Sequence, residues 1–187
     1  MNIILIRHGE TEANVREGAR PVLTSKGKKQ ISKLAERLKD FEVDIIFSSN
    51  LERARITAKE IQKINKNAKL IETEELREIY RLIIGGKPKE GTRENRFEED
   101  LKRAEDFWEK MINWNYQNVA VVCHGNIIRF FLSKALQVSP EESPNLEIEP
   151  TSVSIINVSE DKVKVSLVND IAHIPRELLS NKQIYVE

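Results

Sequence analysis

NVAVVCHGNIIRFFLSKAL, residues 118–136, opens as an unbroken apolar run and ends as a helix that is apolar nearly all round. A short continuous apolar run with polar ends reads as a strand buried on both faces, and such strands belong to parallel sheets covered by helices. The same pattern heads the chain. NIILIRHG, residues 2–9, is an apolar run that stops at Arg7 and His8. Both runs lead into a His-Gly pair, so two strands deliver a histidine to one edge of a parallel sheet.

Outward from these runs the chain alternates strand and helix. Residues 24–39 place Ile31, Leu34, Ala35 and Leu38 at helical spacing behind Thr24, which suits a helix cap. Residues 43–47 (VDIIF) read as a strand, 51–64 put Leu51, Ala54, Ala58 and Ile61 on one helical face, and 69–72 read as a short strand. Residues 97–114 form an amphipathic helix through Phe97, Leu101, Ala104, Trp108, Met111 and Ile112. Residues 152–158 and 162–168 read as a closing pair of strands, Val163, Val165 and Leu167 alternating as in a sheet with one wet face. The least regular stretch, IYRLIIGGKPKEGTRENR at 79–96, reads as an insertion or lid. The expected fold is therefore α/β and three-layered, with a mostly parallel central sheet, helices on both faces and one domain over 1–187.

Composition narrows the partners. Of 187 residues, 30 Lys and Arg balance 30 Asp and Glu, so no broad field attracts nucleic acid or an acidic membrane. An anion would have to be held by a local cluster of cations. One cysteine excludes an internal disulfide framework and a cysteine-built zinc site. No apolar stretch approaches a membrane span, and the N-terminus is too short and wrongly flanked for a signal peptide, which makes a cytoplasmic location the default expectation. Richness in Lys, Glu and Ile with little Gln, Met or Cys points to a thermophile.

Ligands of open α/β sheets sit beyond the carboxyl ends of the strands. Arg7-His8, Ser48-Ser49 with Arg53 one turn into the next helix, and His124 all lie at such ends. Cations around histidines suit a phosphoryl group: arginine presents a fixed fork of donors, and a neutral imidazole is a good nucleophile towards phosphorus. An acid is still needed for the leaving oxygen. Glu78, in ELREIY before the irregular stretch, is the best candidate. Cys123 and Arg129 have the spacing of a cysteine phosphatase loop. However, Asn126, Ile127 and Ile128 read as a buried helix start, and Cys123 reads as a core residue. Arg55, two residues from Arg53, reads as surface and His173 as structural. Lys87, Lys89, Arg93 and Arg96 read as a solvated lid surface.

LIRHGETEAN at 5–14 resembles the signature of the histidine phosphatase (phosphoglycerate mutase-like) superfamily. VLTSKGKKQI, SSNLERARITA, LRE at 76–78 and VVCHGNIIR resemble its further motifs, in the family order. The resemblance implies that His8 is the nucleophile and becomes phosphohistidine. It also implies that Arg7, Arg53 and His124 hold the phosphoryl oxygens, that Asn14 contacts the phosphoryl group and that Glu78 donates the proton. No metal and no organic cofactor are implied. The loop VREGARPVLT is shorter than the family's usual one, and the Arg-Arg run and proline-rich segment that mutases use for a bisphosphate are missing. This favours the small phosphatase branch, acting on a small-molecule phosphate ester such as α-ribazole phosphate or a sugar phosphate, with no nucleic acid or membrane partner; a homodimer is compatible with it. The rival readings are a phosphoglycerate mutase, a cysteine phosphatase, a metallohydrolase on the two histidines, and a phospho-ligand-binding regulatory module.

Overall fold

A computed structural model describes residues 1–12, 21–79, 94–138, 146–160 and 162–180. Its elements are β1 (Asn2–Arg7), α1 (Ser25–Leu38), β2 (Ile45–Ser49), α2 (Glu52–Ile64), β3 (Lys69–Thr73), α3 (Glu94–Ile112), β4 (Asn118–Cys123), α4 (Gly125–Leu136), β5 (Val153–Ser159) and β6 (Lys162–Asp170). The strands form one sheet in the order β3-β2-β4-β1-β5-β6. The β3, β2, β4 and β1 strands pair in parallel, while β5 and β6 are antiparallel additions on the β1 side. The mostly parallel, three-layer expectation therefore holds.

Strand side chains alternate between faces, and the two resulting cores separate accordingly. Ile3 and Leu5 of β1 and Val119, Val121 and Cys123 of β4 pack with α3 and α4 through Phe107, Met111, Ile127 and Phe131. Ile4 and Ile6 of β1 and Ala120 and Val122 of β4 pack with α1 and α2 through Leu34, Ala54, Ala58 and Ile61. Each such large aliphatic chain, once fully buried, contributes roughly 1.5–3 kcal/mol. The chain thus leaves β1 towards one face and β4 towards the other, although these strands are neighbours with Arg7 in register with Cys123. A crevice opens where adjacent strands send their connections to opposite faces, and His8 and His124 flank it.

Two boundaries differ from expectation. The helix expected over 97–114 begins at Glu94 and ends at Ile112, so residues 94–96 of the supposed insertion belong to α3; residues 80–93, with Lys87, Lys89 and Arg93, lie outside the described residues. The strand expected at 43–47 runs from Ile45 to Ser49 and so contains both serines. Asp44 instead accepts backbone N–H bonds from Gln117 and Asn118 at 2.7 and 2.8 Å, tying the start of β2 to β4. Among the described residues no helix is long and apolar enough to cross a membrane.

Candidate active site

His8 is buried just past β1, where its N–H donates to the Cys123 carbonyl at 3.1 Å. Its Nδ1 lies 2.7 Å from the Gly9 carbonyl oxygen. A carbonyl can only accept, so Nδ1 carries the hydrogen and Nε2 carries the lone pair. Arg53, in the first turn of α2, donates its Nε–H to that lone pair at 3.1 Å. Burial first, then the Arg7 and Arg53 cations, pushes the His8 imidazole well below its ordinary value, which keeps it neutral and nucleophilic.

The loop carrying His8 rests on the start of α1. Gly9 N–H donates to Thr57 Oγ1 at 3.3 Å, and Thr57 in turn donates to the Arg53 carbonyl at 2.9 Å, which links nucleophile and cation through one hydroxyl. A Cβ on Gly9 would lie 2.8 Å from the Gly27 carbonyl, and a Cβ on Gly27 would fall on the Glu10 carbonyl, well inside van der Waals contact. The close approach of loop to helix therefore needs both glycines. Gly27→Ala is expected to lose about 1–3 kcal/mol of stability by overpacking and to lower kcat through displacement of His8. A thermal melt and a turnover assay on the same preparation check this; an unchanged Tm and kcat would show that the loop can retreat freely.

His124 is the residue preceding α4, with extended backbone at φ −129° and ψ 169°. Its ring meets that of His8 edge to face at 5.1 Å between centroids, and its Nε2 lies 2.9 Å from Ser49 Oγ at the end of β2. Burial, then His8 and Arg53, lowers this imidazole too. Arg7 closes β1 with its Nη1 on the Ile148 carbonyl. The Nε of Arg7 and Nδ1 of His124 are buried without a hydrogen-bond partner among the described residues. Buried polar atoms are ordinarily paired. Unpaired ones beside Arg53 and the His8 lone pair suit the oxygens of an incoming phosphoryl group.

Glu78 lies on the segment after the 3-10 turn Glu74–Leu76 and feels the charges of Arg7 and Arg53. Its Oε1 accepts from the backbone N–H groups of Ile79, Asn126 and Ile127 at 3.1, 3.0 and 3.2 Å. Burial raises its pKa above the ordinary carboxylate value, outweighing the Asn126 and Ile127 bonds and the Arg7 and Arg53 charges. The structure thus brings together Arg7, His8, Arg53, Glu78 and His124; Asn14 lies outside the described residues. Arg55 pairs with Glu72 at 2.8 Å on the surface. Arg129 donates to the Leu146 carbonyl at 2.6 Å and to Asn126 Oδ1 at 2.8 Å. Cys123 is fully buried in the α3/α4 core, and burial, aided by Glu78, drives its thiol pKa far up, so it is no nucleophile. Among the described residues no group of three or more His, Cys, Asp or Glu is set to hold a metal ion.

A family model for the histidine phosphatase superfamily (branch 1) matches residues 3–100 and 84–171. The chain belongs to that superfamily. The histidine phosphatase described here is 29% identical to the mitochondrial serine/threonine-protein phosphatase Pgam5 of Drosophila ananassae over 195 residues, 97% of this chain and 67% of that one. It is 27% identical to phosphoserine phosphatase 1 of Hydrogenobacter thermophilus over 202 residues, 93% of this chain and 94% of that one. In fold it matches the α-ribazole phosphatase of Shigella flexneri with a TM-score of 0.77 at 22% identity, covering 91% of this chain and 97% of the other.

Two supports of this histidine phosphatase's site have no counterpart in the sequence reading. Gln30, fully buried in α1, accepts from Glu10 N–H at 3.0 Å and donates to the Leu178 carbonyl at 2.8 Å and Ser180 Oγ at 3.1 Å. A glutamine on the apolar stripe with Ile31 and Leu34 was the available signal. Thr151 sits at φ 59°, strained for a β-branched residue, and its N–H is shared by the Arg7 and His8 carbonyls at 3.1 and 3.2 Å. No sequence pattern announces it. His173, expected to be structural, meets the Thr151 hydroxyl at 3.3 Å, and burial lowers its pKa to about 4.

Proposed function

We propose that this histidine phosphatase hydrolyses small phosphate monoesters without a metal, through a phosphohistidine on His8 Nε2. The single observation carrying the reading is the tautomer: Nδ1–H is bound by the Gly9 carbonyl and the Nε2 lone pair faces Arg53. As ester binds, the Arg53 Nε–H transfers from that lone pair to a phosphoryl oxygen, and Arg7 and His124 take the others. His8 attacks phosphorus while Glu78 gives its proton to the leaving oxygen. Glu78, now ionised, then takes a proton from the water that cleaves the phosphohistidine. Two arginines facing the pocket would repel a dication, which supports metal independence. The substrate class is a small phosphorylated metabolite such as α-ribazole phosphate or a sugar phosphate. A phosphoprotein is the second reading, favoured by the likeness to Pgam5 across 97% of this chain.

Turnover of p-nitrophenyl phosphate across pH, with chelator present, tests the proposal on wild type, Cys123→Ser and Glu78→Gln. Chelator and Cys123→Ser are expected to leave the rate unchanged. The wild type is expected to peak on the acid side of neutrality, because a lowered His8 pKa keeps the nucleophile free while a raised Glu78 pKa keeps the acid protonated. Activity then falls as pH rises through the Glu78 pKa. Glu78→Gln is expected to lose that alkaline limb, with a loss on this ester far smaller than the about 10²-fold or more expected on an alkyl phosphate, whose leaving oxygen needs the proton. A maximum above pH 9, or loss in Cys123→Ser, would sink the mechanism. Absence of any turnover would favour a mutase or a binding module.

A further inference from the structure

Glu78 lies on a strap, residues 74–79, that crosses between α3 and α4, and two side chains outside the reacting centre grip its backbone. From α3, Arg103 Nη1 donates to the carbonyls of Glu75 and Arg77 at 2.6 and 2.9 Å and reaches that of Glu74 at 3.3 Å. Its Nη2 reaches the Glu78 carbonyl at 3.4 Å and donates to Asp100 at 2.7 Å, which keeps the guanidinium oriented. From α4, Asn126 Nδ2 donates to the Ile79 carbonyl at 3.1 Å. Its amide orientation is fixed, because Arg129 can only donate and so must face Oδ1. Leu76 and Ile79 anchor the strap in the core.

The grip has a chemical consequence. All three N–H bonds to the Glu78 carboxyl fall on Oε1. An oxygen accepting from three N–H groups has no lone pair left for a proton, so in the neutral acid Oε1 is the carbonyl oxygen and Oε2 carries the hydrogen. We propose that Arg103 and Asn126 are positioning residues that hold the strap so that Glu78 stays seated on the start of α4, with its proton confined to Oε2 for delivery to the leaving oxygen. The inference rests on the reading of Glu78 as the general acid. It also gives Arg129 a place, as the residue that orients Asn126.

The test is dependence on the leaving group. A misplaced acid matters little for p-nitrophenolate, which departs without help, more for phenolate and most for an alkoxide. The kcat/KM for p-nitrophenyl phosphate, phenyl phosphate and glycerol 2-phosphate is measured by phosphate release for wild type, Glu78→Gln, Asn126→Ala and Arg103→Lys, each with a thermal melt. Both positioning variants are expected to lose on the order of 10²-fold on the alkyl ester and only a few-fold on the nitrophenyl ester, in the order shown more strongly by Glu78→Gln. An equal loss on all three esters, or none, overturns the proposal and leaves a structural role. If Glu78→Gln steepens the dependence while neither positioning variant does, only this inference fails. If Glu78→Gln itself loses equally on all three, the acid assignment and this inference fall together. The two variants act from different helices, so one that fails to fold leaves the other to decide.

Discussion

His8→Ala is expected to lower kcat by roughly 10⁴-fold or more, the scale seen when a covalent nucleophile is removed. Among the described residues nothing else in the crevice can replace it. His124 Nε2 is engaged with Ser49 Oγ, and Cys123 is buried on the far side of the sheet in the α3/α4 core. The variant should still bind vanadate or inorganic phosphate within a few-fold of wild type, because Arg7, Arg53 and His124 remain and Arg53 no longer spends its Nε–H on the imidazole. Rapid-quench trapping with labelled substrate checks the assignment directly: an acid-labile phosphoryl adduct forms on the wild type and is absent from His8→Ala. An adduct on the variant, or turnover near the wild-type rate, would move the nucleophile elsewhere.

Arg53→Ala carries the second large effect, about 10²- to 10³-fold in kcat/KM, typical of removing one preorganised donor to developing charge. The residue does two things at once, and the loss should show both. Its donor leaves the phosphoryl oxygens, and its charge leaves the neighbourhood of His8. Because Arg53 is one of the cations that lower the His8 pKa, its removal raises that value, and the acid limb of the pH–rate profile moves to higher pH. Arg53→Lys keeps a charge but not a fork, so it should hold the acid limb nearer its place while recovering little of the rate. A uniform fall in rate with an unmoved acid limb would show that Arg53 touches substrate alone.

The sequence showed β1 and β4 clearly because strands buried on both faces leave unbroken apolar runs. It showed the histidines because each directly follows such a run. Arg53 was readable from its place one turn beyond Ser48-Ser49. The start of α3 was not, since its first residues Glu94, Asn95 and Arg96 carry no apolar periodicity. The supports hid for a different reason. Arg103 and Asn126 reach backbone carbonyls with their side chains and Thr151 does so with its own N–H, and neither kind of reach to a distant main chain leaves a spacing rule. Gln30 was the exception, a polar residue on an apolar stripe, and such a residue asks for a buried partner.

The carbonyls of Arg7 and His8 hang on Thr151, and Glu10 meets Ser180 across a separation of 170 residues. The nucleophile loop is made well before Thr151 and Ser180, which frame it. A growing polypeptide therefore carries His8 through a long stretch of synthesis without the frame that aims it. Contacts of such high order form slowly in folding, so catalytic competence is a property of the assembled fold, and a chain that stops before Thr151 lacks the frame that aims His8.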